Sequence, residues 1–261
     1  MLDFHNHLMP GVDDGAEDIH ESREGLTVLR NQGVDTVITT PHLRGSLTLQ
    51  RAELSRAFNA MDASWAELAQ LGTADFSSIR LERGVELMLD VPRPDLSDER
   101  LRLAGTSFVL VEFPFMSLPP NSTMAIREMS QNGWTPIIAH PERYASMASN
   151  LELIEDWRIV GAAIQVNAGS LGGHYGPSPR RIAWELIESG LADYLCSDYH
   201  SRGRCPVAEA ARLLKAAGGS EQHELLTSIN PSRILADEQP LAVPPLETRQ
   251  GSFWKKLIPW Q

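Results

Sequence analysis

The chain begins MLDFHNHLMPGVDDG, which sets His5, His7 and the pair Asp13 and Asp14 within its first fifteen residues, directly behind a short apolar run. Imidazoles and carboxylates brought this close can share a divalent metal ion. The theme recurs, because His42, Glu86, Glu112, His140 and the pair Asp198 and His200 each follow another short apolar run. Any one of them alone reads more readily as a cap or a surface residue than as a ligand. Nine together, with Asp14 completing the set and Asp13 able to replace or brace it, are hard to ascribe to coincidence. Five histidines and four carboxylates form a mixed nitrogen and oxygen set, which suits manganese, iron, cobalt or zinc better than calcium or magnesium.

To meet, these residues need elements that carry them to one place. Apolar runs rich in Val, Ile and Leu at 2–4, 34–40, 79–85, 108–111, 136–139, 162–166 and 192–196 read as seven buried strands. Helical spacing lies between them, clearest at Leu54, Phe58, Met61, Trp65 and Leu68, whose steps of four and three put all five on one face. Such alternation implies a parallel sheet, either closed or open and doubly wound. No glycine-rich dinucleotide loop is present, so a barrel is expected. The carboxyl ends of parallel barrel strands share one rim, where residues as distant as His5 and His200 would converge.

The 261 residues, 42% of them hydrophobic, suffice for one domain with a sizeable core. No window nears the roughly 18 apolar residues of a membrane span, and polar ligating residues from His5 onward leave no room for a secretory signal. A cytoplasmic protein is expected. Two cysteines, Cys196 and Cys205, are too few for a disulfide framework. A formal charge of −11 argues against nucleic acid as a partner, yet permits a phosphorylated substrate if bound cations reverse the sign locally.

The stretches FHNHLMPGVDDG, TTPH, GVEL, VEFP, IAHPERY and CSDYHSRGR resemble the PHP (polymerase and histidinol phosphatase) superfamily. They are most similar to its bacterial protein-tyrosine phosphatases of capsule and exopolysaccharide systems, and the resemblance covers residues 1 to about 235. It implies a distorted (β/α)7 barrel with the active site at the C-terminal rim of the strands. It also implies three divalent transition-metal ions, foremost Mn²⁺ with Fe, Co or Zn as alternatives. The implied activity is hydrolysis of phosphotyrosine on a membrane-associated bacterial tyrosine kinase that governs polysaccharide export. The ligands it implies are His5, His7, Asp14, His42, Glu86, Glu112, His140, Asp198 and His200.

A phosphate ester resists attack because its oxygens are already negative. Clustered divalent ions would neutralise those oxygens and generate a bridging hydroxide as nucleophile at neutral pH. Arg143, three residues beyond His140, and Arg204, four beyond His200, are expected to grip the phosphate or stack on the tyrosine ring. Neighbouring Arg202 competes with Arg204 for this role, and the resemblance favours Arg143 and Arg204. A phenolate with a pKa of about 10 leaves without a dedicated acid; His42 or a metal-bound water would serve, and Asp198 joins the residues expected to act in catalysis. A rival chemistry lies in CSDYHSR, where Cys196 and Arg202 have the spacing of thiolate phosphatases. That loop contains no glycine, and Asp198 within it would repel phosphate unless neutralised, so Cys196 is expected to be a buried strand residue.

Residues 236–261 depart from the alternating pattern: a proline-bearing linker, PLAVPPLETRQ, leads to the aromatic and basic tail GSFWKKLIPWQ. The tail is expected to dock on its own domain or a second copy, with weak contact at the inner face of the membrane as the sharper alternative. The main rival function is a small-molecule phosphomonoesterase of the same superfamily, similar to a histidinol-phosphate phosphatase. A non-catalytic metal-binding scaffold is a further alternative.

Overall fold

The computed structural model describes residues 1–114 and 118–246. Nine short strands lie among them: β1 (Leu2–Asp3), β2 (Thr36–Thr39), β3 (His42–Arg44), β4 (Arg80–Arg83), β5 (Glu86–Met88), β6 (Phe108–Glu112), β7 (Thr135–Ala139), β8 (Ala163–Asn167) and β9 (Tyr194–Cys196). Every pairing is parallel, with order β1-β2-β4 in one sheet and β3-β5-β6-β7-β8-β9 in the other. The mixed α/β alternation expected from the sequence is present.

A single closed sheet is not. The expected second and third strands are present as β2 and β4, and each is followed after two residues by a further strand, β3 and β5, beyond the expected ranges. Pro41 has no N–H to give the ladder, and Gly84 lies where a Cβ would come within 2.9 Å of Leu103. Backbone bonds from Gly84 N to Thr39 O (2.9 Å) and from Glu86 N to Pro41 O (3.0 Å) bridge the break. The first and last strands meet beyond their ends through an isolated parallel bridge, Asn6 to Tyr199. Asp198 N donates to His5 O (2.8 Å) and His7 N to Tyr199 O (2.9 Å). Beneath this seam the buried Asp3 carboxylate accepts from Ser197 N (2.8 Å) and Ser197 Oγ (2.6 Å).

Two helices flank the first strands. α1 (Ile19–Asn31) is capped by Asp18, whose side chain accepts from His20 N and Glu21 N, and it buries Leu26 and Leu29. α2 (Arg51–Asp75) carries the anticipated stripe, with Phe58, Met61 and Leu68 buried and Leu54 and Trp65 half-buried against them. Strands β6, β7 and β8 are buried throughout, as a parallel sheet covered on both faces requires. No described helix is long and apolar enough to cross a membrane.

The proline-bearing stretch after Leu235 forms no helix and is largely exposed, but it is anchored at a few points as far as Leu246. Asn230 clamps it by donating to Leu241 O (2.9 Å) and accepting from Leu241 N (2.8 Å), while Val243 and Leu246 enter the core. The aromatic and basic tail lies outside the described residues.

Candidate metal centre

Register brings the first candidate ligands together. His42 opens β3 and stands directly opposite Glu86, which opens β5; one strand further, Met88 pairs with Glu112, the last residue of β6. His42, Glu86 and Glu112 therefore sit on strands rather than in the loops expected after them. His140 and Asp198, at the ends of β7 and β9, adopt left-handed backbone conformations (φ 34° and 52°) that non-glycine residues rarely hold. Strain of this kind persists where surrounding structure over-determines it and gathers at functional sites.

Glu86 stands at the middle of the cluster. Its Oε1 lies 3.2 Å from His5 Nε2 and 2.9 Å from His140 Nε2; its Oε2 lies 3.5 Å from His7 Nε2 and 3.0 Å from His42 Nδ1. Asp198 Oδ1 reaches His5 Nε2 (3.3 Å) and His7 Nε2 (3.4 Å), and Asp14 Oδ1 reaches His42 Nε2 (3.4 Å) and His200 Nε2 (3.5 Å). Four overlapping groups have donor atoms within 4.8 Å of one another: His7, Asp14, His42 and His200; His5, His140 and Asp198; His5, His7 and Glu86; His42, Glu86 and Glu112. All nine expected residues enter at least one group.

The two aspartates of VDDG divide the work. Asp13 braces: its Oδ2 lies 2.7 Å from His7 Nδ1 and accepts from His42 N (3.1 Å), and its Oδ1 accepts from Gly15 N (3.0 Å). Asp14 is 69% exposed at its side chain and faces the cluster mouth. Gly15 is required because a Cβ there would fall 2.0 Å from His7 O. In IAHPERY, Glu142 accepts from Asn167 N (2.9 Å) and Ser170 Oγ (2.7 Å), while Tyr144 donates to Ala139 O (2.9 Å) and accepts from Phe113 N (3.0 Å). The loop thereby holds Arg143, whose Nη1 donates to Asp198 Oδ2 (2.6 Å).

Arg204 is not brought to the cluster. Its side chain is 73% exposed and faces Glu209 Oε2 at 3.6 Å, a carboxylate that also meets His174. Arg202 turns to Gly15 O (3.2 Å) and Glu17 Oε1 (2.8 Å), bracing the first loop and leaving Cys196 without a phosphate-loop arginine.

Three site residues escaped sequence reasoning. Gln165 Oε1 meets His5 Nδ1 at 2.8 Å, Asn167 Nδ2 donates to Asp198 Oδ2 at 2.6 Å, and the Tyr175 ring lies 4.2 Å beneath the Arg143 guanidinium. The first two occupy alternate positions of AIQVN, a strand buried along its whole length. Polar side chains on an otherwise apolar buried strand were the available signal.

Two properties show that these residues fit metal ions. His5 Nε2, His7 Nε2, His42 Nδ1, Glu86 Oε2 and Glu112 Oε1 are buried and find no hydrogen-bond partner among the described residues, a costly state that a cation relieves. The site's field is also strongly negative. Burial opposes charge on His7 and His42, yet Asp13, Asp198 and Glu86 push the first up to about 10, and Glu112 and Glu86 push the second up to about 11. Burial would likewise raise Glu86, but His5, His140 and His42 hold it well below the usual carboxylate range. Burial and the nearby His7 keep His200 below the ordinary imidazole value. A cation binding there would displace protons from His7 and His42, so its affinity would weaken as the pH is lowered.

Comparison with known proteins gives a consistent picture. A family model described as "Capsular polysaccharide synthesis, CpsB/CapC" matches residues 1–236. The chain is 30% identical over 259 residues to the tyrosine-protein phosphatase YwqE of Bacillus subtilis (strain 168), covering 97% of this chain and 99% of that one. It is 25% identical over 246 residues to the tyrosine-protein phosphatase CpsB of Streptococcus pneumoniae, covering 91% and 99% respectively. A solved structure, from work describing YwqE and CpsB as unique metal-dependent tyrosine phosphatases, superposes with a TM-score of 0.81 at 27% identity, over 96% of this chain and all of that one.

Proposed function

The chain belongs to the CpsB/CapC family of capsular polysaccharide synthesis, and from that premise we propose that it is a metal-dependent protein-tyrosine phosphatase of a capsule or exopolysaccharide system. One observation carries the reading: five buried nitrogen and oxygen atoms inside the nine-residue cluster lack hydrogen-bond partners among the described residues and gather within reach of one another. We assign His5, His7, Asp14, His42, Glu86, Glu112, His140, Asp198 and His200 as ligands of three divalent ions, foremost Mn²⁺. We read the two sheets and the seam between Asn6 and Tyr199 as a distorted (β/α)7 barrel with this site at its carboxyl rim.

Divalent ions held there supply Lewis acidity toward phosphoryl oxygens and lower the pKa of water. The chain's own residues do the rest. Arg143 presents a guanidinium to the phosphoryl group, its plane fixed by Asp198 on one side and the Tyr175 ring on the other. Gln165 and Asp13 fix the rings of His5 and His7, so the Nε2 atoms face inward. A phenolate leaving group spares the site a dedicated acid. Arg204, exposed beside Glu209, would have to turn toward the cluster to meet substrate.

Residues 1–235 form the catalytic unit in this reading, working in the cytoplasm on a phosphotyrosine protein, foremost a membrane-associated tyrosine kinase. Residues 236–261 are linker and tail, whose Trp and Lys residues suit weak contact with the inner membrane face or a second copy. Elemental analysis of protein purified without chelator, beside turnover of a phosphotyrosine peptide and of small phosphomonoesters, tests the proposal. It predicts more than two transition-metal equivalents per chain and a preference for the peptide. A single tight ion would refute the trinuclear centre, and preference for a small phosphomonoester would move the chain to the rival activity.

A further inference from the structure

Beside the cluster opens a groove of about 670 Å³, between the VDDG loop, β3 and α2. Its inner wall is made by Asp14, His42 and Glu112, three of the candidate ligands. The remaining walls are mostly carbon, from Val12, Leu43, Leu47, Ala57, Met61 and Met88. Outside the cluster and its Asp13 brace, the one charged lining residue is Arg44, which is exposed and makes no ion pair among the described residues.

An inorganic phosphate has no surface that such walls would bury, so the groove calls for the organic part of the ester. On the phosphatase reading above, we propose that this groove receives the aromatic ring of the phosphotyrosine, with the phosphoryl group lying over the cluster toward Arg143. The order of residues across the site gives the direction. Glu86 stands between His5 and His140 on one side and His7 and His42 on the other. Arg143 joins the cluster through Asp198 and does not line the groove, whereas His42 does. A phosphoryl group held from the Arg143 side turns its ester oxygen to the other side, where the groove begins. The face of Arg143 is already covered by Tyr175, which leaves that side poorly suited to a second ring.

The apolar lining of the groove also sorts substrates. A phosphotyrosine sets a whole ring between phosphate and backbone, so the ring fills the apolar space while the peptide stays outside. A phosphoserine has one carbon in that place and would have to drag polar backbone into an apolar wall, where its amides go unpaired. The groove is therefore a specificity site for aryl phosphates.

The test combines Ala60→Trp, which adds bulk from the exposed side of α2 into the groove, with Leu47→Gln, which removes apolar contact without adding bulk. KM for a phosphotyrosine peptide is measured with metal content and the competitive inhibition constant of inorganic phosphate, which reads the cluster alone. Ala60→Trp is expected to raise KM about tenfold, equivalent to about 1.4 kcal/mol, and Leu47→Gln by less, with metal content and phosphate inhibition unchanged. Wild-type KM in both variants would overturn the proposal, as would phosphate inhibition weakening in step with KM. A rise in KM for Tyr175→Ala without one for Ala60→Trp would overturn it too, by placing the ring on the Arg143 side. Failure of the metal-loaded wild type to hydrolyse phosphotyrosine would instead refute the phosphatase reading on which the assignment rests.

Discussion

Buried carboxylates at the two ends of the strands are treated in opposite ways. Asp193, just ahead of β9, accepts from Ile164 N at 2.8 Å and from the Arg158 guanidinium, which also donates to Leu191 O. Asn230 closes the same corner by donating to Asp193 O at 3.1 Å. Burial raises the Asp193 pKa, with Arg158 opposing. At the carboxyl end Glu86 is equally inaccessible, yet it meets four imidazoles and no guanidinium, and its Oε2 remains without a hydrogen bond. Asp193 is completed by its neighbours and holds the fold. Glu86 is completed only around added positive charge, as a group built for cations would be.

Removing the cations should therefore produce the largest effect. Exhaustive chelation is expected to cut phosphotyrosine turnover at least a thousandfold, since several kcal/mol of transition-state stabilisation disappear. Mn²⁺ or a similar ion should restore it, and circular dichroism should show a chain that stays folded throughout. Full activity in the chelated protein would erase the distinction between the two ends. Glu86→Gln comes next, with an expected loss of about a hundredfold or more in kcat/KM. Metal analysis and circular dichroism would show whether ions are lost from an intact fold. Asp193→Asn makes the opposite trade: it strands the Arg158 charge, costs about 3 kcal/mol of stability, and leaves kcat/KM of the folded, metal-loaded enzyme unchanged. If thermal melts and kinetics show both variants losing activity alone, or stability alone, the contrast fails.

Arg143→Ala should fall between these cases. A charge-assisted hydrogen bond of about 1.5–3 kcal/mol corresponds to a loss of roughly tenfold to a hundredfold in kcat/KM, with metal content intact. Loss of metal would make Arg143 a support for Asp198 rather than a substrate contact.

How much of this was legible in the sequence follows the same division. The nine cluster residues could be named because imidazole and carboxylate types recur after apolar runs, and parallel strands leave their carboxyl ends together. Gln165 and Asn167 carry no charge, and their value depends on His5 and Asp198 arriving from strands far away in sequence. Tyr175 was hidden for the same reason, since only the fold places it under Arg143. Arg204 shows the converse, because sequence distance from His200 could not reveal that its side chain would lie exposed beside Glu209. The parallel alternation was readable from apolar runs, but β3 and β5, which resume beyond Pro41 and Gly84, were not. The groove was invisible, because α2 reads as amphipathic whether or not part of its apolar face is left open.

The smallest expected effect falls where sequence spacing had offered a rival mechanism. Cys196 ends β9 only two residues from Asp198, but its side of the strand is apolar: it is 2% exposed and packs with Phe4, Ile38 and Tyr194. Burial, reinforced by the nearby Asp3, pushes its thiol well above the usual range, so the nucleophilic thiolate is disfavoured. Cys196→Ser changes little volume and places a hydroxyl in that apolar setting, a cost of about 1 kcal/mol of stability. Turnover by the metal-loaded protein should stay near the wild-type value, and iodoacetamide should leave the wild type active. A thiolate mechanism requires the reverse, with rapid alkylation and no turnover in the serine variant. Because serine is nearly isosteric, it also avoids the disturbance that a bulky alkyl group would cause at Asp198. A folded Cys196→Ser protein with full metal content and no activity would move the chemistry from the open carboxyl rim to the closed apolar side of β9, against every contrast drawn between them.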